Sequence, residues 1–176
     1  MLKKLVCSLL ALVLVISLCA CGNGAKNTDT NSQPTSAEKG ESNTEKDGFK
    51  ISGQMLQIGM NLTEDVLKNL GTPTDVQTAP SCHFDGEDTI YVYEAYTLYT
   101  YADGDKNVLY LIELTGEGVS TPEGIKIGSA CDEVKNIYGN PTEETEGYYT
   151  YETVSSLIRF SHDGDTVGLI EYEEKE

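Results

Sequence analysis

The chain has 176 residues, with 29 Asp and Glu against 12 Lys and Arg, which gives a formal net charge of −17. Nucleic acid and anionic lipid are polyanions, so this charge excludes both as direct partners. A basic protein or a cation such as Ca²⁺ is favoured instead, and a merely solvated acidic surface is the alternative.

The N-terminus has the pattern of a bacterial export signal. A short basic head is followed by an apolar run that is too short to span a membrane stably. The sequence LCAC at residues 18–21 resembles the bacterial lipobox, in which cleavage precedes a cysteine that carries a diacylglyceryl group. We therefore predict a lipoprotein signal peptide at residues 1–20 and a lipid anchor on Cys21, with an ordinary secretory signal as the alternative.

Residues 21–50 are rich in Asn, Thr, Ser, Gly, Glu and Lys and contain almost nothing apolar. Such a segment cannot bury enough surface to offset its ordering entropy, so we predict a flexible tether. The remaining part, residues 51–176, has 24 acidic residues against six basic ones. It is long enough for one compact domain.

Two blocks of this domain repeat one pattern, QIGMNLTEDVLKNLGTP at residues 57–73 and KIGSACDEVKNIYGNP at residues 126–141. Asn61 and Ser129 stand where helix N-caps are expected, three residues before an acid. Gly71 and Gly139, each followed by a proline, are stop signals. Apolar residues between cap and stop have helical spacing, so each block predicts a short amphipathic helix.

The chain changes period after each helix. Residues 89–116 and 148–174 alternate and are rich in Tyr, Val, Ile and Thr, which is typical of strands. Asp-Gly at residues 103–104 and 163–164 predicts hairpin turns. We therefore predict an α+β fold of two tandem helix-plus-antiparallel-sheet repeats, at residues 51–121 and 122–176, which can form one larger core or one continuous sheet.

The tyrosines of the first strand region are the candidate binding residues. On a single strand, Tyr91, Tyr93, Tyr99 and Tyr101 share one face, opposite the aliphatic face that a helix would cover. A turn near residues 94–97 would reset this phase and place the two pairs on adjacent strands. Exposed tyrosine suits protein recognition, and plain sheet composition is the alternative.

Neither of two polar segments matches an established metal site. Residues 76–89 form a predicted loop with Cys82, His83 and three carboxylates, without recognised ligand spacing. Asp103 and Asp105 imitate a calcium loop, but its required Gly and Glu positions hold Val108 and Leu114. We predict no metal and no cofactor.

Two cysteines remain in the domain, Cys82 and Cys131. Outside the cytoplasm they are candidates for a disulfide. Two unpaired, partly buried thiols are the alternative.

The capped helix, Gly-x-Pro stop and tyrosine-rich strands resemble the beta-lactamase-inhibitor-like superfamily, which includes outer-membrane-assembly lipoproteins of the SmpA/OmlA type. The tandem form, with the joint TPEGIKIGS at residues 121–129, is similar to lipoproteins of Gram-positive bacteria. The resemblance covers about residues 52–174. It implies an α+β fold and allows inhibitors and assembly factors alike, so it transfers no binding residues.

The sequence contains no GxSxG, HExxH, P-loop or CxxC motif, so we predict that the protein is not an enzyme. Its predicted function is non-catalytic binding of an unknown, possibly basic, extracytoplasmic protein on the tyrosine-rich sheet. The alternatives are a structural or assembly role in the cell envelope and cation binding by the acidic domain.

Overall fold

The computed structural model describes residues 48–175. Of these residues, 48% lie in strands and 12% in helices. The strands are β1 (Phe49–Ile51), β2 (Gln54–Leu56), β3 (Asp75–Pro80), β4 (Glu87–Val92), β5 (Tyr96–Asp103), β6 (Lys106–Leu114), β7 (Glu143–Glu144), β8 (Tyr148–Glu152), β9 (Ser156–Asp163) and β10 (Thr166–Glu174). The helices are α1 (Glu64–Leu70) and α2 (Cys131–Tyr138).

Eight strands form one antiparallel sheet in the order β3-β4-β5-β6-β10-β9-β8-β7, and β1 and β2 form a separate hairpin. The predicted α+β fold of two helix-plus-sheet repeats is therefore wrong. The strands that follow each helix do not form separate sheets, because β6 pairs with β10 in the middle of a continuous sheet. The two helices have only seven and eight residues, so the fold is mostly β.

Both helices end at the predicted glycines but begin later than predicted. Gly71 and Gly139 have φ angles of 91° and 83°, a region that favours glycine, and each donates its N–H to a helix carbonyl. The N-cap of α1 is Thr63, whose hydroxyl accepts from the Val66 N–H at 3.4 Å. The N-cap of α2 is Ala130, which has no side chain able to accept such a bond.

The residues predicted as caps fix loops instead. Asn61 Oδ1 accepts a hydrogen bond from the Asn107 N–H at 2.9 Å, which joins the segment before α1 to β6. Ser129 Oγ accepts from the Lys126 N–H at 3.3 Å. Asn61 therefore satisfies a backbone group of β6, and Ser129 satisfies one in the loop before α2.

The two predicted Asp-Gly turns are confirmed. Asp103 pairs with Lys106 across the β5–β6 turn, and Asp163 pairs with Thr166 across the β9–β10 turn. Gly104 and Gly164 have φ angles of 60° and 59°. Two-residue turns of this hand match the twist of the strands they join.

The hydrophobic core lies against one face of the sheet, which we call the covered face. Tyr138 of α2 packs on Phe160 of β9 at 4.9 Å between ring centroids, and Phe49 packs on Tyr96 at 5.5 Å. The fully buried core side chains include Phe49, Leu56, Leu98, Leu109, Ile112, Leu114, Ile125, Val134, Ile158, Phe160, Ile170 and Tyr172. The opposite face, which α1 and α2 do not cover, we call the outer face.

Two predicted boundaries shift. Phe49 is fully buried, so the fold includes residues that we assigned to the tether. The predicted loop at residues 76–89 is mostly strand, because β3 and β4 pair from Asp75 to Pro80 and leave only residues 81–86 as a connection. Within residues 48–175, no helix has the length and apolar character needed to cross a bilayer.

Candidate functional site

The four predicted binding tyrosines do not share a face. Tyr91 pairs with Leu98 of the covered face, and Tyr99 pairs with Ile90. Paired residues share a face, so Tyr91 and Tyr99 lie on opposite sides of the sheet. The single-strand interpretation is wrong, and the alternative with a turn between two adjacent strands is confirmed.

The first pair of tyrosines belongs to the core side. Tyr93 is only 8% exposed and stacks on Tyr96 at 4.5 Å between ring centroids. Tyr91 packs against the core, and its hydroxyl accepts a hydrogen bond from Asn107 Nδ2 at 2.9 Å. Neither side chain offers a free surface to a partner that docks on the outer face.

The second pair belongs to an aromatic cluster on the outer face, formed by Phe84, Tyr99, Tyr101 and Tyr110. Phe84 stacks on Tyr101 at 3.6 Å and meets Tyr110 edge-on at 5.3 Å. Tyr110 joins the cluster because the register between β5 and β6 shifts there, so Tyr99 pairs with Leu111 and Thr100 with Leu109. Such a bulge re-aims the extra side chain.

Sequence reasoning missed Phe84 and Tyr110. Phe84 is the only large apolar residue of the connection at residues 81–86, and a single aromatic residue in a polar segment indicates that it packs against the fold. No pattern in the sequence indicates the bulge at Tyr110. Strict alternation along the strand would place this residue on the same face as Leu98 and Ile112.

Hydrogen bonds fix two tyrosine hydroxyls of the cluster. Tyr99 Oη donates to Glu113 Oε2 at 2.7 Å, and Tyr110 Oη donates to Asp88 Oδ2 at 2.9 Å. Burial raises the pKa of both phenols, and the adjacent carboxylates raise these pKa values further. Both phenols therefore stay neutral near neutral pH, and their rings have defined orientations.

A row of charged residues crosses the middle of the outer face. Glu113, Glu171 and Arg159 lie in register on β6, β10 and β9. Arg159 Nη2 lies 2.6 Å from Glu173 Oε1, and Nη1 lies 3.9 Å from Glu171 Oε2. Burial raises the pKa of Glu171, and Arg159 lowers it in part. Two carboxylates, Glu171 and Glu173, thus lie beside one guanidinium, and Glu113 is paired with Glu171 on the next strand, so this part of the face is negative.

A concavity of about 720 Å³ lies beside the aromatic cluster. Its apolar lining comes from Phe84, Tyr110, Leu111 and Leu157. Its charged lining consists of Glu152, Arg159, Glu173, Glu174 and Lys175, with net charge −1. Lys175 closes one rim, because its Nζ donates to Glu152 Oε1 at 2.9 Å and to the Thr153 carbonyl at 2.5 Å.

Both cysteines of the described part of the chain are free thiols, so Cys82 and Cys131 are not joined. Cys82 is exposed in the β3–β4 connection, close enough to Tyr110 of the outer face to help raise the pKa of that phenol. Cys131 is buried in the core at the start of α2. The sheet separates the two residues.

Within residues 48–175, no group of three or more His, Cys, Asp or Glu side chains is placed to hold a metal ion. Of the residues considered for a metal, Asp88 is buried and accepts from Tyr110, whereas His83 lies exposed beside Phe84. The predicted lipidation site, Cys21, lies outside the described residues.

The fold and this face define an open antiparallel-sheet protein with one aromatic, acidic face uncovered by helices. No family model matches the chain, and no curated protein matches it. Among solved structures, the chain is similar to a DUF4309 family protein (YjgB) from Bacillus subtilis subsp. subtilis str. 168, at 17% identity and a TM-score of 0.49. The match covers 74% of this chain and 90% of that one.

This likeness to a bacterial protein is too distant to carry an argument about function. The comparisons give no support to the resemblance to the beta-lactamase-inhibitor-like superfamily or to SmpA/OmlA-type lipoproteins.

Proposed function

We propose that the protein is a non-catalytic recognition module, held at the extracytoplasmic face of a bacterial membrane by a lipid on Cys21. It binds a basic segment of a partner protein on the outer face. The observation that carries this proposal is the concavity of about 720 Å³ in a face that the helices leave uncovered. Its volume falls in the range of about 300–1,000 Å³ that is typical of ligand-binding clefts.

The lining suits protein contact. Tyr110 and Phe84 give a large aromatic area, and Leu111 and Leu157 are half-buried, so a partner side chain completes their burial. The hydrogen bond from Tyr110 to Asp88 fixes one ring before the partner arrives. Less conformational freedom is then lost on binding, which favours affinity.

The charge of the outer face favours a basic partner. Glu113 and Glu171 are paired across β6 and β10, and Glu173 follows two residues after Glu171 on the same face of β10. Arg159 is the cation beside Glu171 and Glu173. A lysine or arginine of the partner would relieve this excess of negative charge. The overall charge of −17 would also steer a basic partner during encounter.

Four of the five charged groups of the concavity form ion pairs, Arg159 with Glu173 and Lys175 with Glu152. This arrangement favours recognition over catalysis, because the ion pairs fix the positions of these side chains and the electrostatic potential of the concavity.

Site-specific photo-cross-linking tests the proposal. A photoreactive phenylalanine derivative replaces Leu157 in the concavity or, as the matched control, exposed Asn69 on α1. Irradiation of intact cells should yield a cross-link to one basic extracytoplasmic protein from position 157 and none to it from position 69. The same products from both positions, or none from position 157, would refute binding in the concavity.

A further inference from the structure

The two edges of the sheet differ. β7 has only two residues, whereas β3 has six, and β4 is the only described strand that pairs with β3. In an edge strand, the N–H and C=O groups of alternate residues point away from the sheet. The register with β4 turns the backbone groups of Val76, Thr78 and Pro80 outward. Their three carbonyls are acceptors and the Thr78 N–H is a free donor, whereas the Val76 N–H donates to Asp75 Oδ1 at 2.9 Å and Pro80 has none.

β3 lacks the features that protect edge strands. Natural edges carry lysine, internal proline, bulges or inward-pointing charges that prevent another strand from pairing. The middle of β3 reads Val76, Gln77, Thr78 and Ala79, and its register with β4 runs without a shift from Asp75 to Pro80. Val76 is 50% exposed. The edge is thus regular and accessible in its middle, where Thr78 offers its N–H, and Asp75 and Pro80 limit pairing toward the two ends.

The charge around this edge has one sign. No Lys or Arg occurs between Lys68 and Lys106, a stretch that includes all of β3, β4 and β5. Residues 75–92, which form β3, β4 and their connection, hold four acidic residues, Asp75, Asp85, Glu87 and Asp88. A second copy of this chain would bring like charges together, whereas a basic strand would be attracted.

We propose that β3 accepts an extended basic segment of another protein, which pairs with it as an additional strand of the sheet. Backbone hydrogen bonds along β3 would provide much of the affinity, and the acidic surroundings would select lysine or arginine in the incoming strand. This inference goes beyond the proposed function, because it uses the sheet edge and not the concavity.

A defined peptide tests the proposal on the full-length protein. The probe is a fluorescein-labelled ten-residue peptide in which lysine alternates with valine or threonine, and the control peptide has glutamate in place of lysine. Fluorescence anisotropy measures binding, and backbone amide chemical shifts locate it. We expect the basic peptide alone to bind and to shift the amides of residues 75–80.

Paired lysine substitutions give the decisive comparison. Val76→Lys with Thr78→Lys places two positive charges on the edge, and Val154→Lys with Asn69→Lys places the same charge at exposed positions elsewhere. The two lysines on the edge repel the basic peptide, so this variant should bind the peptide at least about tenfold more weakly than the wild type. The control variant should bind the peptide much more tightly than the edge variant does. Equal affinity of the two variants, or no binding to the wild type, would overturn the proposal.

Two proline variants keep the test independent of charge. Neighbouring residues of a strand point their N–H groups in opposite directions, so one of Gln77→Pro and Thr78→Pro removes an outward N–H and the other breaks a bond to β4. The variant that keeps the wild-type melting temperature should lose peptide binding, and retained binding would contradict strand pairing. Amide shifts at Leu111 and Leu157 instead of residues 75–80 would also overturn it, while supporting the concavity as the site.

Discussion

Glu171 lies in the middle of the outer face, with a side chain only 16% exposed. Burial raises its pKa above the ordinary value of 4.5, with Glu173 and Glu113 adding to this rise. A carboxyl with a raised pKa in the folded state favours folding when protonated, and that contribution is lost as pH rises through the folded pKa. The ionised Glu171 therefore destabilises the protein at neutral pH.

Glu171→Gln should accordingly raise the melting temperature at about pH 7.5, and most of the gain should be lost at about pH 4, where the wild-type carboxyl is largely protonated in both states. Thermal unfolding followed by circular dichroism at both pH values measures this. Glu174→Gln is the control, because Glu174 is exposed on the same strand. A gain for Glu171→Gln that persists at pH 4 would contradict the electrostatic explanation.

Two tyrosines that pack in or against the core should respond oppositely to loss of the hydroxyl. Tyr172 is fully buried, and its Oη has no hydrogen-bond partner among the described residues. Tyr138 Oη donates to Glu123 Oε2 at 2.5 Å. Tyr172→Phe should raise the free energy of unfolding, and Tyr138→Phe should lower it, each by about 1 kcal/mol. Urea unfolding measures both, and a loss of stability in Tyr172→Phe would show that its hydroxyl is hydrogen-bonded.

At the scale of elements, the two helices differ in their caps. Thr63 caps α1 with its hydroxyl, whereas Ala130 leaves the first N–H groups of α2 without a side-chain acceptor. Ala130→Ser should therefore stabilise the protein by about 0.5–1 kcal/mol, and Thr63→Ala should destabilise it by a similar amount. Chemical denaturation of the two variants checks both signs. An unchanged stability of Ala130→Ser would mean that this N-terminus is already satisfied.

The elements that the sequence predicted correctly depend on neighbours along the chain. Gly71 and Gly139 end helices, and the Asp-Gly pairs turn hairpins, because these residues adopt local conformations that few others allow. The pairing of β6 with β10 joins distant parts of the chain and leaves no local pattern. For this reason the sequence predicted two helix-plus-sheet repeats and left open whether their strands join, whereas the structure has one eight-stranded sheet and only two short helices.

The candidate site was predictable to a similar degree. Tyr99 and Tyr101 were identified as binding candidates because tyrosine alternates there with aliphatic residues. The burial of Tyr91 and Tyr93 depends on a turn whose position alternation does not determine. Leu157 and Arg159 line the concavity only because β9 lies close to β6 in the sheet, and the sequence does not show which strands become neighbours.

At the scale of the whole molecule, charge should govern how fast a basic partner associates. The net charge is −17, and screening shortens the reach of such a field to about 10 Å at 0.1 M salt. We predict that the association rate with the cross-linked partner falls steeply between about 50 and 300 mM NaCl, while the dissociation rate changes less. Stopped-flow fluorescence measures both rates, and a salt-independent association rate would exclude electrostatic steering.

The central claim is that the partner docks in the outer-face concavity. The most direct test is the affinity of the purified partner for two variants that add the same charge, Leu157→Arg in the concavity and Asn69→Arg on the exposed side of α1. Circular dichroism first confirms that both variants fold, and surface plasmon resonance then measures binding. The account predicts that Leu157→Arg lowers the affinity at least about tenfold and that Asn69→Arg has a much smaller effect. Only the arginine at position 157 would occupy the space in which the partner is expected to pack. Equal affinities would contradict the claim.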